Sequence, residues 1–435
     1  PRIPAGGQLV DEPGKPLAIV HEAKKSDTWM SIAKAYLDLT DVYVEQDLAR
    51  ELAKDNGSKK PGPAAGEKVQ ITHLIKEPFK SADDERLGLP EDRTLRGIYV
   101  RGSLASMGAY TQVLDEMQKR GMNIIVLDAK DYDGPLTYKS KVPLAVQSGA
   151  TKDAMVRDFA RAIRFAHARG VRVSVRIACF EDEIMAKFRK DLSVQAKWGG
   201  AYPIGWLDPN NEGAQGYAID LAKEAMDMGA DEINLDYVRY PVLGIKGANF
   251  QLEEKKLTKV EVITGFVKKV HEITKARKVA LSLDVFGVIA EGKRVDIDAL
   301  GQDPPMLAPH AEALCPMVYP SHYTPGYYGF EIPGNHPEIV GMGTKKIVDL
   351  IAKGIGADAA KAGAVIRPWV QAMSYKSPEF GPQYLAQELK SAEENGSNGW
   401  LMWNPGQGYG VAWNAVRANA PVAAAAGSAP SAKGN

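Results

Sequence analysis

The sequence carries no excess of either charge: 54 Lys and Arg balance 54 Asp and Glu over 435 residues. A protein that grips nucleic acid by its phosphates ordinarily shows a basic surplus, so a nucleic-acid partner is not expected. Long apolar runs are missing as well, and no stretch is long enough to cross a bilayer, so no transmembrane segment is expected. Cysteine is scarce, with only Cys179 and Cys315. Both lie in strand-like runs on opposite sides of the architecture derived below, which argues against a disulfide and for two buried thiols. There is no Gly-rich phosphate loop of the dinucleotide type and no Gly-x-Ser-x-Gly elbow. His322 and His336 share a region, but without the two-His, one-carboxylate spacing of a metal centre. No cofactor and no metal are therefore expected. What is present is ordinary for a globular protein, 45% hydrophobic and 25% charged, in a chain long enough for one large and one small domain.

The numbering opens on Pro1 rather than Met, which leaves room for a leader removed ahead of it. Residues 1–16 are rich in Pro and Gly and read as an extended arm. Leu17 to Val20 reads as a strand. Ser26-Asp27-Thr28 offers an N-cap to a helix whose Trp29, Ile32, Ala33 and Tyr36 recur at helical spacing. Gln46 to Lys54 fits a second helix ending at Asn56-Gly57, and Lys68 to Thr72 alternates like a strand. Strand, helix, helix, strand over residues 17–75 makes a small domain. In order and in residues it resembles the LysM module. Ser26 to Ala33 matches the opening helix signature, Asp55-Asn56-Gly57 the end of the second helix, and Gly66 to Ile71 the closing strand. The segment between the helices is longer than usual. The resemblance implies binding to the N-acetylglucosamine backbone of peptidoglycan or chitin.

Residues 76–94 are charged and irregular and read as a linker. From 95 to 420 strand-like and helical runs alternate. The strands are Gly97–Val100, Asn123–Leu127, Val171–Ile177, Ile233–Leu235, Val279–Leu283, Ala313–Val318, Val365–Val370 and Gly399–Trp403. Amphipathic helices lie between them, such as Met155–Arg169, with Phe159, Ile163 and Ala166 on one face, and Val262–Thr274. Several helices end at a glycine before the next strand: Gly121, Gly170, Gly229 and Gly396. Eight strand–helix units predict a (β/α)8 TIM barrel. Residues 421–435 read as a flexible tail.

In such a barrel the chemistry sits where strands end. Asp236 closes the fourth strand in an apolar run, where a carboxylate is costly unless it is paired or used. Arg239 follows closely enough to keep it ionised. Asp284 ends the fifth strand. Glycoside hydrolysis needs two carboxyls across the scissile bond, one giving a proton and one attacking or activating water. Asp236 is the candidate nucleophile or charge stabiliser, and Asp284 the candidate general acid/base. The other strand ends contribute Asp128, Lys130, Trp206, Asp208, Tyr319, His322, Trp369, Gln371 and Trp403. With Arg239 these are the candidate substrate-binding residues, since aromatic faces stack on sugar rings and amides and acids bond hydroxyls.

The same stretches carry a second resemblance. Gly97 to Val100, Leu127 to Asp131, Trp206 to Pro209, Leu235 to Pro241, Pro316 to Tyr323, Arg367 to Gln371 and Gly399 to Asn404 together resemble a bacterial family of glycoside hydrolases first catalogued as a domain of unknown function. The resemblance implies a barrel related to α-glycosidases, with the acid of the fourth strand as nucleophile. That family usually places Asp after the Gln of the seventh strand, where this chain has Ala372, which implies a weakened or inactive site if that Asp is catalytic. The expected protein is a secreted or cell-envelope glycoside hydrolase of a cell-wall or extracellular polysaccharide. The alternative is an envelope protein that binds carbohydrate without cleaving it.

Overall fold

A computed structural model describes residues 2–11, 13–14, 16–75 and 80–419. The expected tail at 421–435 and part of the 76–94 linker lie outside these residues. Two units follow one another along the chain, and each is built as the alternation of its residues dictates.

The first unit is a three-stranded antiparallel sheet with Ala18–Glu22 in the middle, flanked by Gly7–Val10 and Lys68–Ile71. Gly7–Val10 falls inside the segment read as an arm; four residues between Pro4 and Pro13 suffice to pair with the middle strand. Helices Trp29–Tyr36 and Glu45–Asp55 cover one face of the sheet. Thr28 and Ser31 cap the first helix reciprocally, each side chain bonding the other's backbone N–H at 3.0 and 2.9 Å. Trp29, Ile32, Tyr36, Leu48 and Leu52 pack on Ile19, Val69 and Ile71.

The second unit is a closed barrel of eight parallel strands. They are Leu95–Val100, Ile124–Lys130, Arg172–Ala178, Glu232–Asp236, Ala280–Phe286, Ala313–Met317, the pair Val365–Ile366 and Trp369–Gln371, and Gly399–Trp403. The eighth pairs back onto the first through Gly399 and Leu95. The seventh, expected unbroken, is interrupted at Arg367-Pro368, because proline has no N–H to give to a ladder. Along each strand alternate residues face the helices or the lumen. Val173, Val175 and Ile177 join the outer core, with Phe159, Ile163 and Ala166 of the helix Phe159–His167. Ser174 and Arg176 take the inner positions. Low in the lumen Arg367 pairs with Glu232 at 3.0 Å through two parallel bonds, and Ser174 and Ser282 each donate to the same carboxylate at 2.7 Å. Both cysteines are free and buried.

The two units meet through Arg161, which is buried in the barrel helix Phe159–His167. It donates to the carbonyls of Thr40 at 2.8 Å, Tyr43 at 3.2 Å and Val42, all in the first unit. The ring of Tyr43 sits 5.1 Å from that of Tyr110 and 4.9 Å from that of Phe165. The linker is also tied down: Arg86 donates to the carbonyls of Ala230 and Met226, and Leu87 N–H donates to Asp231.

Candidate active site

Asp236 is the last residue of the fourth strand, in register with Ala178 of the third and two residues beyond Asn234 on the same face. The chain then turns abruptly. Tyr237 takes φ +50°, a left-handed conformation costly for a bulky side chain. That turn lets its N–H reach back to Asp236 Oδ1 at 2.6 Å. Oδ2 of Asp236 accepts from Arg176 Nε at 2.9 Å and lies 2.7 Å from its Nη2. Arg176 also pairs with Asp128 through Nη1, so one buried guanidinium on the third strand joins carboxylates from the second and fourth. Asp128 in turn accepts from the hydroxyl of Tyr99 at 2.8 Å. Burial pushes the pKa of Asp128 up and Arg176 works against that rise. The expected Arg239–Asp236 pair is not formed; Arg176 takes that place.

Asp284 lies one strand away and is almost wholly buried. Its Oδ1 accepts from Trp369 Nε1 at 2.7 Å and from Asn234 Nδ2 at 3.0 Å. Asn234 also donates to Ser282, so a polar ladder climbs from Glu232 to this carboxyl. Among the described residues no basic side chain bonds it directly. Burial, and next the negative charge of Asp236, push its pKa well above the ordinary carboxyl range, against the two hydrogen bonds. Gln302 clamps the two strand ends, donating to the carbonyls of Val238 at 3.3 Å and Asp284 at 3.1 Å.

Both carboxyls line one cavity of about 370 Å³ at the mouth of the barrel, with Tyr99, Arg176, Arg239, Tyr319, Trp369 and Trp403 among its walls. Trp403 stacks on Tyr99 with ring centres 4.1 Å apart, and Trp369 meets it edge-on at 5.7 Å. Of the residues singled out in the sequence, Asp236, Asp284, Arg239, Tyr319, Trp369 and Trp403 therefore come together.

The others lie outside the cavity walls. Asp128 is beneath it, on Arg176. A register shift between Asp128 and Lys130 sends Lys130 to the outer face, where it pairs with Asp182 at 2.9 Å. Trp206 packs behind Arg239. Asp208 is buried against the N–H of Asn210 at 2.9 Å, and burial raises its pKa to about 6. His322 bonds Ser321 at 3.0 Å, and Gln371 holds the loop after the seventh strand through the carbonyls of Met373 and Tyr375. Ala372 is buried with its N–H on Trp403 O and its carbonyl on Asn404, away from the cavity.

Sequence reasoning passed over Arg176, Tyr99, Tyr132 and Asp133, which also line the cavity. The parity of Val173, Val175 and Ile177 marks Arg176 as lumen-facing. Outside the barrel, Glu51, Asp55 and His73 bring three potential metal-ligand atoms within 4.8 Å of one another.

A family model described as a putative glycosyl hydrolase domain matches residues 97–409. Among solved structures, a hypothetical protein from Ruminiclostridium thermocellum is 30% identical, over 43% of this chain and 97% of that one, with a TM-score of 0.39. The Bacillus megaterium spore cortex-lytic enzyme SleL is 12% identical over 92% of this chain and 86% of its own, with a TM-score of 0.44. A class V chitinase from Pseudomonas fluorescens is 11% identical over 75% and 99%, with a TM-score of 0.46. No curated protein matches the chain.

Proposed function

Because this chain belongs to the family described as a putative glycosyl hydrolase domain, we propose that its cavity hydrolyses a glycosidic bond in a cell-wall or extracellular polysaccharide. One observation carries the assignment of roles. Two carboxyls from neighbouring strands share a cavity but sit in opposite environments, Asp236 on a guanidinium and Asp284 buried on neutral donors. Such a split sorts an acid from its partner.

Asp284 enters the reaction protonated. Its Oδ1 is taken by Trp369 and Asn234, so the proton sits on Oδ2. It passes to the glycosidic oxygen as the bond to the anomeric carbon breaks. Asp236, held by Arg176 and the N–H of Tyr237, attacks that carbon or stabilises its positive charge. Water then attacks the anomeric carbon, displacing Asp236 where it has bonded, and gives its proton to the carboxylate left on Asp284. Tyr99, Trp369 and Trp403 offer ring faces and edges to the sugar. The 17–75 unit, whose strand–helix–helix–strand order supports a LysM-like reading, holds the 95–420 barrel on an N-acetylglucosamine-containing glycan in the envelope or outside the cell. That tethering raises the local substrate concentration.

The test is release of reducing ends from wall glycans and amino-sugar polymers. Asp236→Asn and Asp284→Asn are each expected to lower turnover by at least about a hundredfold, the scale of a lost acid/base group. Wild-type activity is expected to fall as pH rises through the elevated pKa of Asp284, because the proton donor is lost. Equal turnover by wild type and Asp236→Asn rejects the assignment. The alternative reading is binding without cleavage, to which Ala372, buried away from the cavity, lends nothing. It requires that no reducing ends appear while sugar binding survives Asp284→Asn.

A further inference from the structure

Arg239 is a buried cation that forms no ion pair among the described residues; Glu181 and Asp236 act on its charge only from beyond salt-bridge distance. It lines the cavity and is 8% exposed. Its guanidinium lies 4.3 Å from the ring centre of Phe286, 4.8 Å from Trp206 and 5.3 Å from Tyr237. Nη1 donates to the carbonyl of Tyr240 at 3.0 Å. Nε is buried and has no hydrogen-bond partner. Among the described residues Arg239 forms no ion pair, whereas its two neighbours in the cavity do: Arg176 holds Asp128 and Asp236, and Arg101 lies 3.6 Å from Asp131.

Burying a cation without a close partner costs several kcal/mol, which the more distant charges of Glu181 and Asp236 offset only in part. Aromatic faces offset about 0.5–2 kcal/mol each, but they leave the N–H donors unused. A planar guanidinium held between rings, with its fork partly free, suits a planar carboxylate. A neutral hydroxyl accepts one of these bonds and adds no countercharge.

Resting on the glycosidase reading of the cavity, we propose that Arg239 receives the carboxylate of an acidic sugar, so that the substrate is an anionic glycan. Two sources share that chemistry, a uronic acid ring and the lactyl ether of a wall amino sugar. The carboxylate lies in the plane of the guanidinium, accepts from the unused donors and is walled by Phe286 and Trp206. The neighbouring acids do not fill this role: Glu181, the acid that acts most strongly on Arg239, forms no hydrogen bond or ion pair with it among the described residues. Asp236 is held by Arg176, and Asp131 lies between Arg101 and Arg176.

The test measures binding rather than turnover, on the full chain carrying Asp236→Asn. Three probes are titrated by calorimetry: uronic acid oligomers, alternating N-acetylglucosamine–N-acetylmuramic acid oligomers, and neutral N-acetylglucosamine oligomers. One acidic set is expected to bind at least about tenfold tighter than the neutral set, the scale of one charge-assisted bond, and which set does so identifies the source. Adding Arg239→Gln is expected to erase that preference, and Arg239→Lys to retain part of it while controlling for folding. The proposal is overturned by neutral oligomers binding as tightly as both acidic sets, or by Arg239→Gln keeping the preference. Cleavage of neutral glycan by wild type with no acidic preference overturns the Arg239 assignment and leaves the hydrolase reading standing.

Discussion

Replacing Arg176 by Met keeps most of the side chain's volume and removes its charge. The guanidinium is 3% exposed and bridges carboxylates that are 2% and 10% exposed, Asp128 and Asp236. Solvent therefore screens little of the interaction. Breaking one buried ion pair by deleting a partner typically costs about 3–5 kcal/mol, because the other charge stays buried and unanswered. Here one cation serves two acids, but Asp128 can escape part of the cost by taking up a proton, as burial already favours. The expected loss at neutral pH is again about 3–5 kcal/mol. The sign of its pH dependence follows. Without Arg176 the folded-state pKa of Asp128 rises further above its unfolded value. A carboxyl with a raised folded pKa stabilises most below the unfolded pKa and loses that contribution as pH climbs through the folded one. The gap between wild type and variant should therefore be wider at pH 8 than at pH 5. Denaturant unfolding followed by tryptophan fluorescence at both pH values measures it, and adding Asp128→Asn should recover part of the loss. A gap below about 1 kcal/mol, the scale of a surface pair, or a gap indifferent to pH, refutes the claim that this cation carries both carboxylates.

Two other sites yield predictions away from the reaction. Asp208, raised to about 6 by burial, makes the folded protein lose stability as pH rises from near 4 through 6. Asp208→Asn should flatten that slope and stabilise the protein at pH 8 by something on the order of 1–3 kcal/mol, read from melting curves across pH; an unchanged slope rejects the shift. Arg161→Gln strips buried carbonyls of Thr40, Val42 and Tyr43 of a shared donor, each worth about 1–3 kcal/mol when left unsatisfied. The first unit should then melt ahead of the barrel and become cleavable by protease between residues 75 and 95. A single unshifted transition counts against it.

Much of the barrel is legible because its strands alternate and its helices repeat at their own period. Asp236 could be placed because Pro241 and the apolar residues around it mark a strand end. Arg176 was equally marked by parity, but it lies inside its strand, and a search confined to the residues following each strand passes over it. Other errors have no local signal. The register shift that turns Lys130 outward depends on how two strands meet, and nothing around Lys130 announces it. Arg239 looked like the partner of Asp236 because it is near in sequence, yet the turn at Tyr237 carries it toward Phe286 and Trp206. Proximity along the chain is a poor guide where the backbone takes a left-handed step. Gly7–Val10 reads as an arm because its pairing depends on a neighbouring strand.

The Glu232–Arg367 pair spans the lumen between the fourth and seventh strands, 135 residues apart. Until the last strands arrive, that carboxylate has water and two serines for company; once the ring shuts, the serines and the arginine replace the lost hydration, and only the arginine brings a countercharge. Matching these opposite charges is thus expected late in folding, with the closure of the cylinder, since contacts so distant in sequence form slowly. A half-assembled barrel stays wet at its centre, and nothing short of the full circle is rewarded with a dry interior.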